Sequence, residues 1–333
     1  MALPLAALVA LGRAPAGTEP SVRYLRIAAD PSGERGFEVG SALAAMLSRP
    51  PGMPTCANDR ACGVPGLVAV AQSLPDRDGI VTAVASGAME TGLAPADRIY
   101  AARCMAETGA AGSAPLTILG EIYDEALHVL VRAETSLTSV GQLKGRPVAI
   151  GTPGSEERRL AERILTSNGL RLRDVRGVAL SGTDAAQALA DGKLDALFII
   201  AAAPDPVVTS AMNAGARLLP IDGDVAGRLS GLHPFGTPGH IAAGIYGPDQ
   251  PDIATLMQPV AWIAGPALDP ALAAELTAAL ASRPNREALH RQDPDMELLR
   301  PAAFRMSAPL HPAVGTRYGI DPIAMACPRL KPR

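Results

Sequence analysis

Along this chain the apolar and polar positions repeat one order: a short apolar strand, a loop of small residues, then an amphipathic helix. Residues 23–29 read as the first strand and residues 30–36 as its loop. After the loop, Val39, Leu43, Met46 and Leu47 recur at i, i+4, i+7 and i+8, which is one helical face, until Arg49-Pro50-Pro51-Gly52 ends the helix. The same order returns at residues 147–150, a buried strand. The turning loop Gly151-Thr152-Pro153-Gly154-Ser155 follows, then a helix striped by Leu160, Ala161, Ile164 and Leu165 and closed by Asn168-Gly169.

Further strands are predicted at residues 67–71, 91–94, 127–131, 175–180 and 194–200, and helices at 79–86, 96–104, 184–190 and 270–282. Strands alternating with helices imply parallel α/β architecture. A chain of 333 residues is long for one core, so two lobes are expected. The expected division is a discontinuous first lobe of residues 21–124 plus 221–333 and a second lobe of residues 125–220. Crossing connections are expected near residues 125–131 and 217–220.

Composition narrows the function. With 48% hydrophobic and 19% charged residues the chain can offset the entropy of ordering. A net charge of -3 and the absence of any Lys or Arg run argue against a nucleic-acid partner. Aromatic residues make up only 3%, with a single Trp, Trp262, which leaves few platforms for stacking bases or sugars. The apolar run from Ala2 to Leu11, followed by Ala14-Pro15-Ala16, reads as a signal peptide within residues 1–20, although it lacks a basic start; a buried N-terminal helix or strand is the alternative.

Cys56 and Cys62 flank a stretch containing Asn58, Asp59 and Ala61, whose turn chemistry can bring their sulfurs together, so a disulfide is expected ahead of a zinc knuckle. Cys104 and Cys327 are too far apart to pair from sequence, and either could be a buried thiol. No G-x-G-x-x-G, P-loop, G-x-S-x-G or H-E-x-x-H motif occurs. His128, His233, His240, His290 and His311 lack metal-ligand spacing, so neither cofactor, metal nor catalysis is expected.

Each strand-loop-helix unit aims a helix N-terminus, with its unpaired N–H donors, at the end of a sheet. Two such ends across a cleft suit a carboxylate. Candidate donors are Ser32, Gly33, Arg35 and Gly36 in the first loop and Thr152, Gly154, Ser155 and Glu156 in the second. Arg35 is the natural charge partner, and Glu156 could favour a ligand that also carries an amine. The competing reading is that the glycines and prolines merely make turns and Ser155 is an N-cap.

Several stretches resemble the TAXI-type solute-binding proteins of tripartite ATP-independent periplasmic (TRAP) transporters. They are Leu25-Arg26-Ile27-Ala28, Cys62-Gly63-Val64-Pro65-Gly66-Leu67, Ile122-Tyr123-Asp124-Glu125, Leu143-Lys144-Gly145-Arg146-Pro147, Asp191-Gly192-Lys193-Leu194-Asp195 and Pro309-Leu310-His311-Pro312. The resemblance implies a type II periplasmic-binding-protein fold, two α/β lobes closing on a ligand cleft. It also implies periplasmic export and delivery of a small organic anion, carboxylate or amino-acid-like, to the membrane subunits of a TRAP transporter. It adds Phe37, Asp97 and Tyr123 to the expected ligand contacts. The chain departs from the family pattern at Pro95-Ala96, at Glu156-Glu157 and at Gly33-Glu34-Arg35-Gly36-Phe37. A periplasmic sensor and an enzyme on the same scaffold are the rival readings.

Overall fold

A computed structural model of the protein describes residues 22–54, 56, 60–107, 115–221, 223–232, 235–292, 306–319 and 324–327. The expected leader at residues 1–20 and His233 lie outside the described residues.

The chain opens with β1 (Arg23–Ala29), α1 (Arg35–Leu47), the short strands β2 (Ser48–Arg49) and β3 (Val64–Pro65), β4 (Leu67–Ser73), α2 (Arg77–Ala85), β5 (Thr91–Pro95) and α3 (Ala96–Glu107). Strand β6 (Thr117–Arg132) leads out of this half. A second half follows with β7 (Pro147–Ala149), α4 (Glu156–Ser167), β8 (Arg176–Val178), α5 (Gly182–Ala190), β9 (Ala196–Ala201), α6 (Pro206–Asn213), β10 (Ala216–Leu218), α7 (Gly223–Leu232) and β11 (Thr237–Ile241). Strand β12 (Ile253–Ala264) returns to the first half, where α8 (Pro270–Ala281), α9 (Arg283–Gln292) and α10 (Pro312–Tyr318) complete it. Helix starts follow their chemistry: Asp76, Ser155, Asp205 and Asp269 each accept a backbone N–H as N-caps, and α6 and α8 carry proline at the next position.

The strands form one mixed sheet in the order β3-β2-β4-β1-β5-β12-β6-β9-β7-β8, with β10 beside β6 and β11 beside β12. Strand β1 is parallel to β4 and β5, and β7 is parallel to β8 and β9; β12 and β6 run antiparallel to each other. Successive residues of each strand enter opposite cores. Thus Ile27 packs with Leu43, Trp262 and Leu276, whereas Ala28 packs with Ile80, Ile99 and Ile263. In the second half Val129 joins Val148, Ile164 and Leu229, while Leu130 joins Leu189, Leu197 and Val208. Helices therefore cover both sheet faces in each half, as a parallel α/β reading requires.

The crossing strands differ in detail from the sequence expectation. The strand predicted at 127–131 is the end of the 16-residue β6, whose first part pairs with β12 (Tyr123 with Val260) and whose last part pairs with β9 (Leu130 with Leu197). Near 217–220 the chain does not leave the second half. Leu218 pairs with Leu130 in β10, and Leu219, Ile221, Val225 and Leu229 pack with Leu160 and Ile164. The returning strand is β12. It was hidden because Pro259 within the run argues against a central strand; the ladder accommodates it beside a register shift between Val260 and Ala261.

Two disulfides tie the first half. Cys56 and Cys62 are bonded, as expected, with Cα atoms 5.9 Å apart. Cys104 and Cys327 are bonded too, across a sequence separation of 223, which joins the end of α3 to the C-terminal segment. Nothing local in sequence signals that second pairing, because only the folded chain brings the two together.

Candidate functional site

A cleft of about 430 Å³ lies between the halves. It opens at the carboxyl ends of parallel strands, where open α/β sheets bind ligands. The first half contributes the segment after β1 (Asp30, Glu34) and the segment after β4 (Asp76, Arg77, Asp78). The second contributes the loop into α4 (Gly154, Ser155), the α4 side chains Glu157 and Arg159, the apolar floor Phe198, Ile199 and Ile200, and Asp205 and Val207 at the start of α6.

Asp30 is the anchor of the first wall. It is buried, and its carboxylate lies so close to the first turn of α1 that a Cβ on Gly36 would stand 2.5 Å from Oδ2. Glycine at 36 is what permits that approach. The positive end of α1 thus faces a carboxylate of the protein itself. The Asp30 Oδ1 atom is also 3.4 Å from Nε of Arg77. Both terminal nitrogens of Arg77 donate to Glu125, Nη2 to Oε1 at 2.6 Å and Nη1 to Oε2 at 3.0 Å, and Gln258 donates to the same carboxylate at 3.2 Å. Burial opposes the charge of Arg77, but Glu125 and Asp30 outweigh it and hold the guanidinium protonated.

Two further carboxyls lie in the field of this group. Glu34, the N-cap residue of α1, makes no side-chain cap hydrogen bond. Although solvent reaches it, its carboxyl is held above the usual range, first by the water it has lost and then by the charge of Asp30, with Asp205 adding to the effect and Arg77 opposing it. Asp205 accepts from the Val208 N–H at 2.9 Å as the cap of α6, and partial burial raises its pKa. Its backbone is fixed from behind: the Asp205 N–H donates to Tyr246 Oη at 3.0 Å, and that hydroxyl meets His128 Nε2 at 2.7 Å. Burial lowers the His128 pKa to about 4, so the imidazole is neutral where it shares a hydrogen bond with the tyrosine hydroxyl.

The second wall is the loop into α4. Gly151 (φ 67°) and Gly154 (φ 85°) are left-handed, and a Cβ on Gly151 would come within 2.6 Å of Ser155 Oγ. Ser155 Oγ accepts from the Arg158 N–H at 3.2 Å, and Arg159 donates to the Gly154 carbonyl at 2.8 Å. Here the helix N-terminus faces the cleft with an arginine beside it.

Of the expected ligand contacts, Gly154 and Ser155 line the cleft. Thr152 is exposed on the same loop, and Glu156 begins α4, its side chain outside the described residues. Ser32 and Gly33 are exposed on the first loop, and Gly36 packs on Asp30. Arg35 lies over the ring of buried Tyr123, Cζ 5.9 Å from its centroid, and Phe37 is half-buried in α1. Asp97 sits in the first turn of α3, where Arg163 of α4 approaches it at 3.7 Å. The residues missed from sequence are Asp30, Arg77, Asp205 and the floor at 198–200. An available signal was the recurrence of an aspartate soon after an apolar strand, at Asp30, Asp76 and Asp205.

Among solved structures, the chain is similar to the periplasmic aliphatic sulphonate binding protein SsuA from Escherichia coli, with a TM-score of 0.51 at 20% identity over 82% of this chain and 76% of that one. The alkanesulfonate-binding protein SsuA from Xanthomonas axonopodis pv. citri, bound to MOPS, gives 0.48 at 19% identity over 91% and 81%. A TctC solute binding protein from Polaromonas gives 0.48 at 15% identity over 83% and 89%. The fold is that of the two-lobed periplasmic binding proteins. Residues 27–318 match the NMT1-like family, and the chain belongs to it.

Proposed function

We propose that the protein is an exported solute-binding protein of the periplasm, which captures a small carboxylate or amino-acid-like molecule and hands it to the membrane subunits of a TRAP-type transporter. The observation that carries this reading is the interlobe cleft, walled by loops from both halves at the carboxyl ends of their strands. We divide the lobes at the crossing strands: residues 22–124 with 253–327 in one, and 125–252 in the other. Two long strands are the covalent route between them, which suits hinge closure over a bound solute. The disulfides favour an oxidising compartment, and among the described residues no helix is long and apolar enough to cross a membrane. The carboxylate end of the solute is assigned to the loop 152–156, where the amides at the start of α4 and the Arg159 guanidinium offer charge-assisted hydrogen bonds.

The test is a thermal-shift screen of carboxylates and amino acids. A true ligand at about 100 times its dissociation constant adds about 2.7 kcal/mol of stability. Failure of every compound in a broad panel would count against the reading, and co-purification with a sensor kinase instead of transporter subunits would redirect it to signalling.

A further inference from the structure

The cleft proposed above as the solute site is lined by six carboxylates, Asp30, Glu34, Asp76, Asp78, Glu157 and Asp205, against two guanidiniums, Arg77 and Arg159. Its charge is also divided in space. Arg77, which lies 3.4 Å from Asp30, is committed to Glu125 through both terminal nitrogens, so it offers little to an incoming anion. The helix end that could have received an anion in the first wall, that of α1, already faces Asp30. Glu34 has no capping hydrogen bond, and it feels the charge of Asp205 from the opposite lobe. On the α4 side of the cleft, with Gly154, Ser155 and Arg159, a helix N-terminus lies beside a guanidinium that spends one donor on the Gly154 carbonyl, so positive field gathers there.

Resting on the solute-binding reading, we propose that the ligand carries a protonated nitrogen, an ammonium or guanidinium group, held between Glu34 and Asp205, with its anionic end toward the start of α4. The cleft therefore selects zwitterionic or cationic solutes over simple carboxylates. The same arrangement couples binding to closure. Without a cation, Glu34 and Asp205 bring like charges together as the lobes approach; a bridging cation reverses that interaction, so it binds the closed state better than the open one.

The test is calorimetric titration with probes of matched chain length, 5-aminopentanoate, 1,5-diaminopentane and glutarate, together with L-arginine and L-lysine. Wild type is compared with Asp205→Asn, which keeps the N-cap, and with the isosteric Glu34→Gln. The expected result is binding of one or more nitrogen-bearing probes, weakened about tenfold or more by Asp205→Asn and several-fold by Glu34→Gln, with glutarate at least tenfold weaker than the best of them. Tighter binding of glutarate, or nitrogen-bearing binders indifferent to both substitutions, overturns the inference and leaves the solute-binding reading intact. Absence of binding by every probe also overturns it, and the broader carboxylate and amino-acid screen then decides separately whether the solute-binding reading survives.

Discussion

Arg163 of α4 reaches Asp97 of α3 at 3.7 Å, an ion pair that spans the two halves of the molecule. Asp97 is nearly buried and Arg163 about one-third exposed, so the pair contributes modestly, on the order of 1 kcal/mol or less. In the hinge reading proposed above, an ion pair across the halves favours the closed form. Arg163→Ala is expected to enlarge the radius of gyration measured by small-angle scattering without ligand, and to weaken solute affinity by about fivefold or less. Identical scattering curves for wild type and variant would remove the pair from any account of closure.

Arg77 is a different kind of cation, since Glu125 and Asp30 are both buried and depend on it. Arg77→Ala leaves two carboxylates without their counter-charge, a class of change that costs about 3–5 kcal/mol. Denaturant unfolding is expected to show a loss of that order. Loss of less than about 1 kcal/mol would mean that water enters and screens the pair.

Glu34 and Asp205 give the unliganded protein a pH signature. Both carboxyls have folded-state pKa values raised above their ordinary ones, chiefly by lost hydration, with Asp30 and Asp205 adding to the effect at Glu34 and Arg77 opposing it at both. A group of that kind binds its proton more tightly when folded. Its stabilising contribution is complete below the unfolded pKa and is lost as pH rises through the folded one. At neutral pH, Glu34→Gln and Asp205→Asn are therefore each expected to raise the melting temperature of the unliganded protein by about 1–2 °C, an advantage that shrinks toward pH 4. Melting curves across that range check it, and an advantage that grows with acidity would contradict the electrostatic assignment.

The two disulfides should differ in weight. Bond Cys104–Cys327 closes a loop of 223 residues and Cys56–Cys62 one of six. Chain-entropy arguments give about 5 kcal/mol for the first and about 2 kcal/mol for the second. Replacing Cys104 and Cys327 with serine is expected to lower stability more than the same change at Cys56 and Cys62. Equal losses in denaturant titrations would contradict the loop-length argument.

Much of the fold was legible because its units are local. The strand at 23–29, the α1 stripe of Val39, Leu43, Met46 and Leu47, and the α4 stripe of Leu160, Ala161, Ile164 and Leu165 are read from local pattern alone, and the stripes are buried apart from Met46, which is partly so. What escaped depends on distant partners. Strand β12 contains Pro259, and its central partners β5 and β6 lie more than a hundred residues away. The site shows the same division. The small-residue loops signalled where helix ends would gather, yet Asp30 at the α1 terminus and Glu125 on Arg77 are tertiary facts, and they decide the sign of the field in the cleft.

The central claim, that solute is held in the cleft between the lobes, meets its most direct test in a plug. Ile200 lies on the apolar floor, and Ile200→Trp fills space there while leaving the strand pairing of β9 with β6 in place. The measurement is calorimetric titration of wild type and Ile200→Trp with the compound that most stabilises the wild type, alongside circular dichroism of both. The expected result is an unchanged spectrum and an affinity lower by about a hundredfold or more, equivalent to about 2.7 kcal/mol. A folded Ile200→Trp protein that binds the compound as tightly as wild type would contradict the claim and move the site elsewhere on the molecule.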